Sequence, residues 1–382
     1  MIKFHRIPIT PGELSLDNVL QCGQAFRWIY HKDKSHYSTT MRFGNQYHIL
    51  VMKQPDNTCV EFSVMGTANP DTAHVADHLK NYFRLEVPLD KLLRTEWAVR
   101  DSNFKMKLHR GVRLLSQDPW ETLISYICSS NNNISRITKM CHSLCAQFGN
   151  KLGEHDGVEY YSFPTSDEIK ERASEEKLRS LGFGYRAKFI MGTARKMVED
   201  RRNLPDSQYL ESWKDHLTYE QIRDKFMAFP GVGPKVADCV CLSGMQMDDV
   251  VPVDVHIARI AQRDYKFTLN KSKIEELQIQ YSDLPVTRKK VNYELDLIRI
   301  MFKEKWGDFA GWAQGILFAQ EVGKTSGATS EGMIKKRSLE VEIKVEVTDT
   351  LGQYQTVEEE SIEYSVTGRP KRKSAKRDSY ES

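Results

Sequence analysis

The sequence lacks any apolar run that approaches the roughly 18 residues of a membrane-spanning helix. Its N-terminus lacks the apolar segment of a secretory signal peptide. It has seven cysteines, and no two of them form a Cys-x-x-Cys pair. An odd number of cysteines without such spacing is typical of reduced intracellular thiols rather than of a disulfide framework. We therefore expect neither a membrane protein nor a disulfide-stabilised secreted domain.

A strong excess of charge of one sign is also missing. The net charge of the 382 residues is +3, but it is unevenly distributed. Residues 338–382 carry seven Lys or Arg and ten Asp or Glu, a net charge of −3, which leaves +6 for residues 1–337. A mildly basic body suits a protein that follows phosphates, although charge alone does not establish this function.

The hydrophobic pattern predicts an α+β protein in three parts. Residues 1–112 are expected to form an antiparallel sheet domain with helices, and residues 113–325 an all-helical domain. Residues 326–382 form a charged tail that we predict to be disordered. Asp118-Pro119-Trp120-Glu121 predicts a helix start with an N-cap, a first-position proline and a capping box. Predicted strands cover 24–30, 37–41, 46–52 and 60–64, and predicted helices include one from about 71 and others at 185–198, 219–229, 290–302 and 310–321.

The most informative segment is residues 228–239, which read Ala-Phe-Pro-Gly-Val-Gly-Pro-Lys-Val-Ala-Asp-Cys. It predicts a helix that ends at a glycine-rich turn and a second helix that begins with Pro234. Glycine lets the backbone turn tightly and approach a ligand closely. The amides of the turn and of the first helical residues lack intrahelical partners, which makes an anion site. We expect the amides of Gly231, Gly233 and Val236 to bind phosphate, whereas Pro234 has no N–H to offer.

Lys235 lies in the first turn of that second helix. A cation there faces the positive end of the helix dipole, which favours the neutral amine. A neutral amine can attack a sugar carbon and form a Schiff base. Cys239, four residues on, shares the helix face of Lys235. Taken alone, the lysine is equally a solvated charge or a phosphate contact, and the cysteine a small buried residue.

Asp254 follows nineteen residues after Lys235, within Val-Pro-Val-Asp-Val-His. It is placed to be the N-cap of a helix that begins at Val255. A carboxylate there could help to deprotonate the lysine or stabilise positive charge on a sugar. His256 could donate to a phosphate. A lone aspartate at a helix start is often just a cap, so the catalytic interpretation rests on the combination of hairpin, lysine and aspartate.

This combination resembles the helix-hairpin-helix DNA glycosylases, and lysine at this position is typical of the bifunctional members, which remove a base and then cut the strand. Four further segments, in the same order, resemble the eukaryotic 8-oxoguanine DNA glycosylase/AP lyase family. In the first of these segments, residues 23–28, Ala25 stands where the family more usually has a small polar residue. The likeness covers roughly residues 10–325 and leaves out the tail. The four segments are 23–28 (GQAFRW), 129–136 (SSNNNISR), 181–187 (LGFGYRA) and 311–318 (GWAQGILF).

The resemblance implies that a damaged nucleotide is rotated out of the duplex into a pocket. Gln314 would pair with the Watson–Crick edge of guanine while Phe318 stacks on the base, and side chains four apart on a helix project together. Cys239 would close the other face of the base. The carbonyl of Gly23 would accept the N7–H that guanine gains on oxidation at C8. One such hydrogen bond contributes about 1–3 kcal/mol, so it does not provide all the discrimination.

The resemblance also implies contacts to the opposite strand. Asn131 would fill the vacated space, Tyr185 would wedge into the stack, and Arg136 and Arg186 would read the estranged cytosine. From the residues alone, the asparagines also suit a turn, the tyrosine a core position and the arginines plain phosphate contacts. Gln314 and Phe318 alone would also suit a polar and a core position on a buried helix.

We therefore predict an enzyme that excises 8-oxoguanine opposite cytosine in base-excision repair, together with related oxidised purines such as formamidopyrimidine guanine. It would then cut the abasic strand by β-elimination through a Schiff base on Lys235, assisted by Asp254. The first alternative is a related glycosylase with another lesion preference, although adenine-mismatch and alkylpurine enzymes generally lack the lysine. The second is a non-catalytic DNA-binding protein that uses the hairpin as a phosphate clamp.

The sequence predicts no cofactor and no metal site. No cysteine follows Cys241, so the four-cysteine iron–sulfur loop of some related glycosylases is absent. The predicted partner is double-stranded DNA that contains oxidised guanine opposite cytosine, and we expect a monomer. The basic run 370–373 suits a nuclear import signal, a solvated charge run being the alternative, and mitochondrial location is left open.

Overall fold

A five-stranded antiparallel sheet opens the chain in the computed structural model, which describes residues 3–66, 70–105 and 111–327. Its spatial order is β1-β5-β4-β3-β2, and every neighbouring pair is antiparallel. Gly44, with φ 60°, is the first of the two turn residues that join the third and fourth strands, where a tight hairpin favours glycine. The strands are β1 His5–Pro8, β2 Ile29–His31, β3 His36–Phe43, β4 Gln46–Asp56 and β5 Cys59–Met65.

The predicted strands at 37–41, 46–52 and 60–64 are confirmed, since they lie within β3, β4 and β5. The predicted strand at 24–30 is wrong for all but its last two residues. The side chain of Gln24 explains the difference, because it donates to the carbonyl of Arg113 (2.8 Å) and accepts from the amide of Leu115 (3.1 Å). This segment is therefore docked against a neighbouring segment instead of pairing in the sheet.

A helix covers one face of the sheet, as predicted. It begins after Asp71, whose side chain accepts from the amide of Ala73, and it buries Val75, Leu79 and Tyr82. These side chains share an apolar cluster with buried residues of the sheet strands. The helices of this part are α1 Leu16–Leu20, α2 Thr72–Tyr82, α3 Leu89–Lys91 and α4 Ala98–Arg100, with a π-helical turn Leu92–Trp97 between the last two.

Beyond residue 118 most elements are helices, and their buried faces form a second apolar cluster. Phe26 and Trp97 also belong to that cluster, so the first hundred residues contribute to the helical core. A domain boundary near residue 112 stays a prediction. The helices are α5 Pro119–Ser129, α6 Ile134–Phe148, α7 Ser166–Arg172, α8 Glu175–Ser180, α9 Arg186–Asp200, α10 Asp206–Glu211, α11 Tyr219–Met227, α12 Pro234–Cys239, α13 Val255–Tyr265, α14 Lys271–Gln280, α15 Pro285–Lys290, α16 Tyr293–Trp306 and α17 Ala310–Gly327.

The α+β class and the helices near 185–198, 219–229 and 310–321 are confirmed, whereas the predicted start at 290 is wrong because Lys290 ends α15 and α16 begins at Tyr293. The predicted tail lies, from residue 328 on, outside the described residues, and so does the basic run 370–373. No helix in the described ranges has the length and apolar character needed to cross a membrane. A two-stranded sheet, β6 Lys151–His155 with β7 Val158–Tyr161, was not predicted.

The start of α5 shows a local difference from its prediction. Asp118 caps the helix by accepting from the amide of Glu121 (2.8 Å), as expected. Both carboxylate oxygens of Glu121, however, accept from the buried guanidinium of Arg27 (2.7 and 2.6 Å) instead of closing a capping box. A charge-assisted pair of this kind is stronger than a neutral hydrogen bond, so tertiary structure determines where Glu121 points.

A buried ion network holds α11, α12 and α16 together. Arg223 of α11 is 2% exposed and donates to Asp238 of α12 (2.7 Å) and to both carboxylate oxygens of Asp296 of α16 (3.0 and 2.6 Å). The hydroxyl of Tyr219 also donates to Asp238 (2.8 Å). Although burial raises the pKa of Asp296, the nearby Arg223 and Arg299 outweigh it and hold that pKa below the ordinary aspartate value. The network fixes the direction of α12, which carries Lys235.

Replacing Arg223 with Met should lower the free energy of unfolding by about 3–5 kcal/mol, because two buried carboxylates then lose their main cation. Urea unfolding followed by circular dichroism measures this change. The control is Arg179→Met, which breaks an exposed pair with Glu175 and should cost less than about 0.5 kcal/mol. Equal losses in the two variants would contradict the importance given to the buried network.

Candidate functional site: a lysine-lined cavity beside a helical hairpin

The turn between α11 and α12 needs glycine at one of its two glycine positions. Gly231 has φ 77°, and a Cβ there would lie 2.6 Å from the Cβ of Phe189. Both the backbone angle and the space therefore require glycine. Gly233 has φ −102°, and nothing lies within 4 Å of a Cβ placed on it. Its surroundings are open, which leaves the backbone accessible to a ligand.

Three amides at this turn lack a backbone acceptor among the described residues, whereas that of Val232 donates to the carbonyl of Phe229 (3.2 Å). Within the described residues, the amides of Gly231, Gly233 and Val236 donate to no backbone carbonyl, and the first bond of α12 runs from Ala237 to Gly233 (3.0 Å). Pro234 occupies the first helical position, as predicted. Unpaired amides at a helix start can bind an anion. The structure thus forms the predicted hairpin with these three N–H groups available.

A cavity next to the hairpin brings together every residue that the sequence assigned to catalysis and base binding. The predicted catalytic pair, Lys235 and Asp254, lines it with the four predicted base-binding residues. Those four come from three distant parts of the chain, namely the segment after α1, helix α12 and helix α17. The lining comprises Lys235, Asp254, Gly23, Cys239, Gln314 and Phe318 together with Cys22, Gln24, Leu114, Tyr126, Leu242, Ser243, Pro252 and Gly315.

The amine of Lys235 has two protein neighbours from α5. Its Nζ lies 3.5 Å from Oγ of Ser129 and 4.9 Å from the centre of the Tyr126 ring. An ammonium at that distance from an aromatic face is attracted by its quadrupole, and the hydroxyl supplies a weak hydrogen bond. These contacts orient the lysine, and no carboxylate of the described residues forms an ion pair with its nitrogen.

Cys239 lies one turn after Lys235 and is 6% exposed. Burial raises the pKa of its thiol to about 11, although the neighbouring Lys235 acts in the opposite direction. The side chain is therefore a neutral thiol at pH 7, which makes it a polarisable surface and a poor nucleophile. This chemistry suits a side chain that packs against a flat ligand.

Asp254 is the N-cap of α13, as predicted. Its Oδ1 accepts from the amides of His256 (2.9 Å) and Ile257 (3.0 Å). Its Oδ2 has no hydrogen-bond donor among the described residues, and the residue lines the cavity beside Lys235. The cap thus fixes one oxygen and leaves the other for charge that develops in the cavity.

The far side of the cavity is formed by α17. Gln314 is 7% exposed, and its side-chain amide has no hydrogen-bond partner among the described residues. Because the residue lines the cavity, this amide is available to bind a polar ligand. The ring of Phe318, one turn on, meets the ring of His256 edge to face at 5.8 Å. His256 therefore supports the aromatic wall, in addition to any phosphate contact.

Gly23 closes the cavity from the N-terminal part. It has φ 84°, and a Cβ there would lie 2.7 Å from Cδ1 of Ile134. The backbone angle favours glycine, and any larger residue would also push the end of the Ile134 side chain aside. The hydrogen bonds of the adjacent Gln24 to Arg113 and Leu115 hold this backbone in place.

The residues predicted to contact the opposite strand lie on two adjoining segments. Asn131 is exposed and has φ 47°, and Tyr185 is 47% exposed with its hydroxyl donating to the carbonyl of Ser130 (3.1 Å). Arg186 is 2% exposed, donates to the carbonyl of Asn131 (3.1 Å) and lies under the Tyr185 ring at 4.5 Å. Arg136 is exposed and donates to the carbonyl of Gly182 (3.0 Å). The structure brings these four together but commits Arg186 to holding the loop.

The sequence did not single out Tyr126, Ser129 or Phe189, all of which shape the site. Tyr126 lies next to the apolar residues Ile124 and Ile127 of α5, so its position indicated the core. Ser129 is the first residue of the SSNNNISR segment, and its hydroxyl is the signal that could have indicated it. Phe189 contacts Gly231 in the structure, and this contact could not be inferred from the spacing of the two residues in the sequence.

Comparison with known proteins identifies the chain. Its residues 6–123 match the family model "8-oxoguanine DNA glycosylase, N-terminal domain", and residues 124–280 match "HhH-GPD superfamily base excision DNA repair protein". It is 52% identical over 341 residues to the N-glycosylase/DNA lyase of Saccharomyces cerevisiae, covering 88% of this chain and 90% of that protein. It is 33% identical over 322 residues to the N-glycosylase/DNA lyase OGG1 of Arabidopsis thaliana, covering 84% and 80%.

Solved structures agree with this assignment. The 8-oxoguanine glycosylase/lyase of Clostridium acetobutylicum, in complex with double-stranded DNA containing cytosine opposite 8-oxoG, superposes with a TM-score of 0.65. The identity is 25%, and the match covers 85% of this chain and 98% of that one. The resemblance inferred from the motifs is confirmed. The chain is a DNA N-glycosylase with AP lyase activity that belongs to the eukaryotic 8-oxoguanine DNA glycosylase family.

Proposed function

We propose that this enzyme excises 8-oxoguanine opposite cytosine in double-stranded DNA, with Lys235 as the nucleophile that becomes a Schiff base. The observation that carries the proposal is the single cavity in which Lys235 and Asp254 lie beside Cys239, Gln314 and Phe318. One end of this cavity holds an amine that can attack a sugar. The other holds a buried amide and an aromatic ring that can bind a purine.

The chemistry follows from the amine. Neutral Lys235 attacks C1′ of the sugar, the C1′–N9 bond breaks, and the departing base takes up a proton. The free oxygen of Asp254 stabilises positive charge that develops on the sugar. The lysine nitrogen then loses a proton, the C1′–O4′ bond breaks and O4′ takes up a proton, which gives a protonated imine on an open sugar. The imine acidifies the C2′ proton, and its removal expels the 3′ phosphate oxygen, which breaks the strand. Hydrolysis of the imine then regenerates the amine.

Recognition of the lesion divides between general and specific contacts. The neutral thiol of Cys239 and the ring of Phe318 bind the two faces of any purine. Gln314 pairs with the Watson–Crick edge of guanine. The backbone carbonyl of Gly23 accepts the N7–H that only the oxidised base carries, and the same contact extends recognition to formamidopyrimidine guanine.

Recognition of the opposite strand rests on the exposed side chains beside α9. Tyr185 enters the stack, Asn131 fills the vacated space, and Arg136 binds the acceptor atoms of the estranged cytosine. Arg186 holds the loop in the free enzyme and exchanges its carbonyl partners for cytosine when DNA binds. The amides of the hairpin and the side chain of His256 bind phosphates, and the enzyme acts on DNA as a monomer located in the nucleus.

Borohydride trapping tests the nucleophile. The wild-type enzyme should form a covalent adduct with a duplex that contains one 8-oxoguanine opposite cytosine. Lys235→Gln should form none and should excise at least roughly a thousandfold more slowly, because the step that depends on the amine is lost. Lys214→Gln, at an exposed lysine of the 3-10 turn Ser212–Asp215, is the matched control and should trap like the wild type. An adduct of normal yield in Lys235→Gln would refute the assignment.

Gln314→Leu separates base recognition from folding. Loss of the base contact should lower kcat/KM for 8-oxoguanine by about 10–100-fold, the equivalent of about 1–3 kcal/mol. The melting temperature should stay the same or rise, because an unpaired buried amide is replaced by an apolar group of similar size. Single-turnover kinetics and thermal melting measure the two effects, with Gln278→Leu on the exposed face of α14 as control. A fall in stability together with unchanged kcat/KM would show that Gln314 is structural.

Arg136→Gln tests the reading of the opposite base. If its guanidinium binds cytosine, the preference for 8-oxoguanine opposite cytosine over adenine should fall by about tenfold or more. A phosphate contact would instead lower both excision rates equally. Arg195→Gln, at an exposed position of α9, is the control for a general loss of positive charge. An unchanged preference in Arg136→Gln would remove this residue from opposite-base recognition.

A further inference from the structure

Away from the cavity, three histidines and an aspartate meet where the two sheets come together. His31 and His36 are direct partners at the end of the β2–β3 pairing. His155 is the last residue of β6, and Asp156 follows it in the turn to β7. Asp156 and Gly157 both have positive φ (52° and 74°), as a two-residue Asp-Gly hairpin turn requires. The tips of two hairpins that are more than a hundred residues apart thus present four metal-binding side chains to one point.

Three of the ligand atoms are spaced as zinc would hold them. The Nε2 atoms of His36 and His155 are 3.4 Å apart, and each lies 3.2 Å from Oδ2 of Asp156. A tetrahedral zinc with bonds of about 2.0–2.2 Å has ligand atoms about 3.3–3.6 Å apart. The observed triangle therefore matches one face of that tetrahedron to within about 0.2 Å.

His31 is placed to be the fourth ligand. Its ring centre lies 4.7 Å from that of His36, and one of its ring nitrogens lies within 4.8 Å of the ligand atoms of His36 and Asp156. Ligand atoms of a tetrahedral zinc lie about 3.3–3.6 Å apart, so the His31 nitrogen would have to move roughly 1–1.5 Å closer to the others. The residue ends β2 and precedes the short 3-10 turn Lys32–Lys34, so a small movement does not disturb the centre of the sheet.

Three potential ligand atoms converge in a largely buried place. His36 and His155 are 6% and 8% exposed, and both direct the same ring nitrogen to a single carboxylate oxygen. Imidazoles with the proton on Nε2 would both donate to this oxygen, and the same nitrogens without that proton present lone pairs toward the same point. A divalent cation at the centre satisfies all three atoms at once.

Neighbouring groups supply the outer contacts that metal ligands usually have. The hydroxyls of Ser38 and Tyr160 lie 2.7 and 3.3 Å from Nε2 of His31 and orient its ring. The ammonium of Lys34 pairs with Oδ1 of Asp156, which leaves Oδ2 facing the histidines. Partners of this kind fix the orientation of ligating side chains and raise metal affinity.

We propose that His31, His36, His155 and Asp156 bind one zinc ion, which joins the β2–β3 hairpin to the β6–β7 hairpin. Imidazole nitrogens and a carboxylate in tetrahedral geometry suit this metal. With four protein ligands the site is closed, so its role is structural. This inference departs from the sequence expectation of no metal site, because ligands this far apart form no recognisable spacing. It does not depend on the lesion or on the role of Lys235.

The test uses the full-length protein, purified without a histidine tag and stripped with a chelator. Zinc alone is the probe, added and then removed by gel filtration before elemental analysis. We expect close to one zinc per chain and a rise in Tm of roughly 2–6 °C on zinc addition. Magnesium at the same concentration should give neither effect, because it prefers oxygen ligands.

Variants distinguish this site from adventitious binding. His155→Gln and His36→Gln should each weaken zinc binding at least about tenfold, and Ser38→Ala, which touches only the outer contact, by about as much. His74→Gln, at an exposed histidine of α2, should bind like the wild type. Failure of the wild type to retain zinc, or equal retention by His155→Gln, would overturn the proposal. If the ligand variants do not fold, zinc titration of the stripped wild type decides the question alone.

Discussion

Arg223 is the cation on which the geometry of the lysine-bearing hairpin depends. Helix α12 has six residues, which is too short to be stable on its own, so tertiary contacts must fix its direction. The guanidinium provides such a contact by joining Asp238 of α12 to Asp296 of α16. Asp238 lies three residues after Lys235 in the same short helix, so the buried pair fixes the position of the helix that carries the amine. Among the described residues, no carboxylate forms an ion pair with that amine.

The cavity is assembled from segments that are each held by a different local interaction. Gln24 holds the backbone at Gly23 through hydrogen bonds to residues 113 and 115, and the N-cap of α13 holds Asp254. At the centre of the cavity, in contrast, polar groups must be left without protein hydrogen-bond partners if they are to bind a substrate. Oδ2 of Asp254 and the amide of Gln314 lack protein partners among the described residues. The fold thus satisfies the groups that position the cavity walls and leaves these two cavity groups without protein partners.

Much of this could be predicted from the sequence, and the exceptions have physical causes. Strand-like segments separated by turns predicted β3, β4 and β5, and glycine, proline and spacing predicted the hairpin and the cap at Asp254. The strand prediction at residues 24–30 and the capping box predicted at Glu121 were wrong, because long-range hydrogen bonds to Arg113 and Arg27 override local preference there. The sequence pattern could not show that Arg186 is buried or that Tyr126 faces the lysine, because both depend on how distant helices pack. The four ligands between the two sheets were invisible for the same reason.

The buried thiol at Cys239 has a consequence for the conditions in which this enzyme works. Oxidised guanine accumulates when oxidants are abundant, and the same oxidants attack cysteine through its thiolate form. With a pKa of about 11, the side chain is ionised in only about one molecule in 10⁴ at pH 7. Burial of this side chain in the cavity wall therefore also slows oxidation of its sulfur. Oxidants that damage guanine should therefore react only slowly with this cysteine of the repair enzyme.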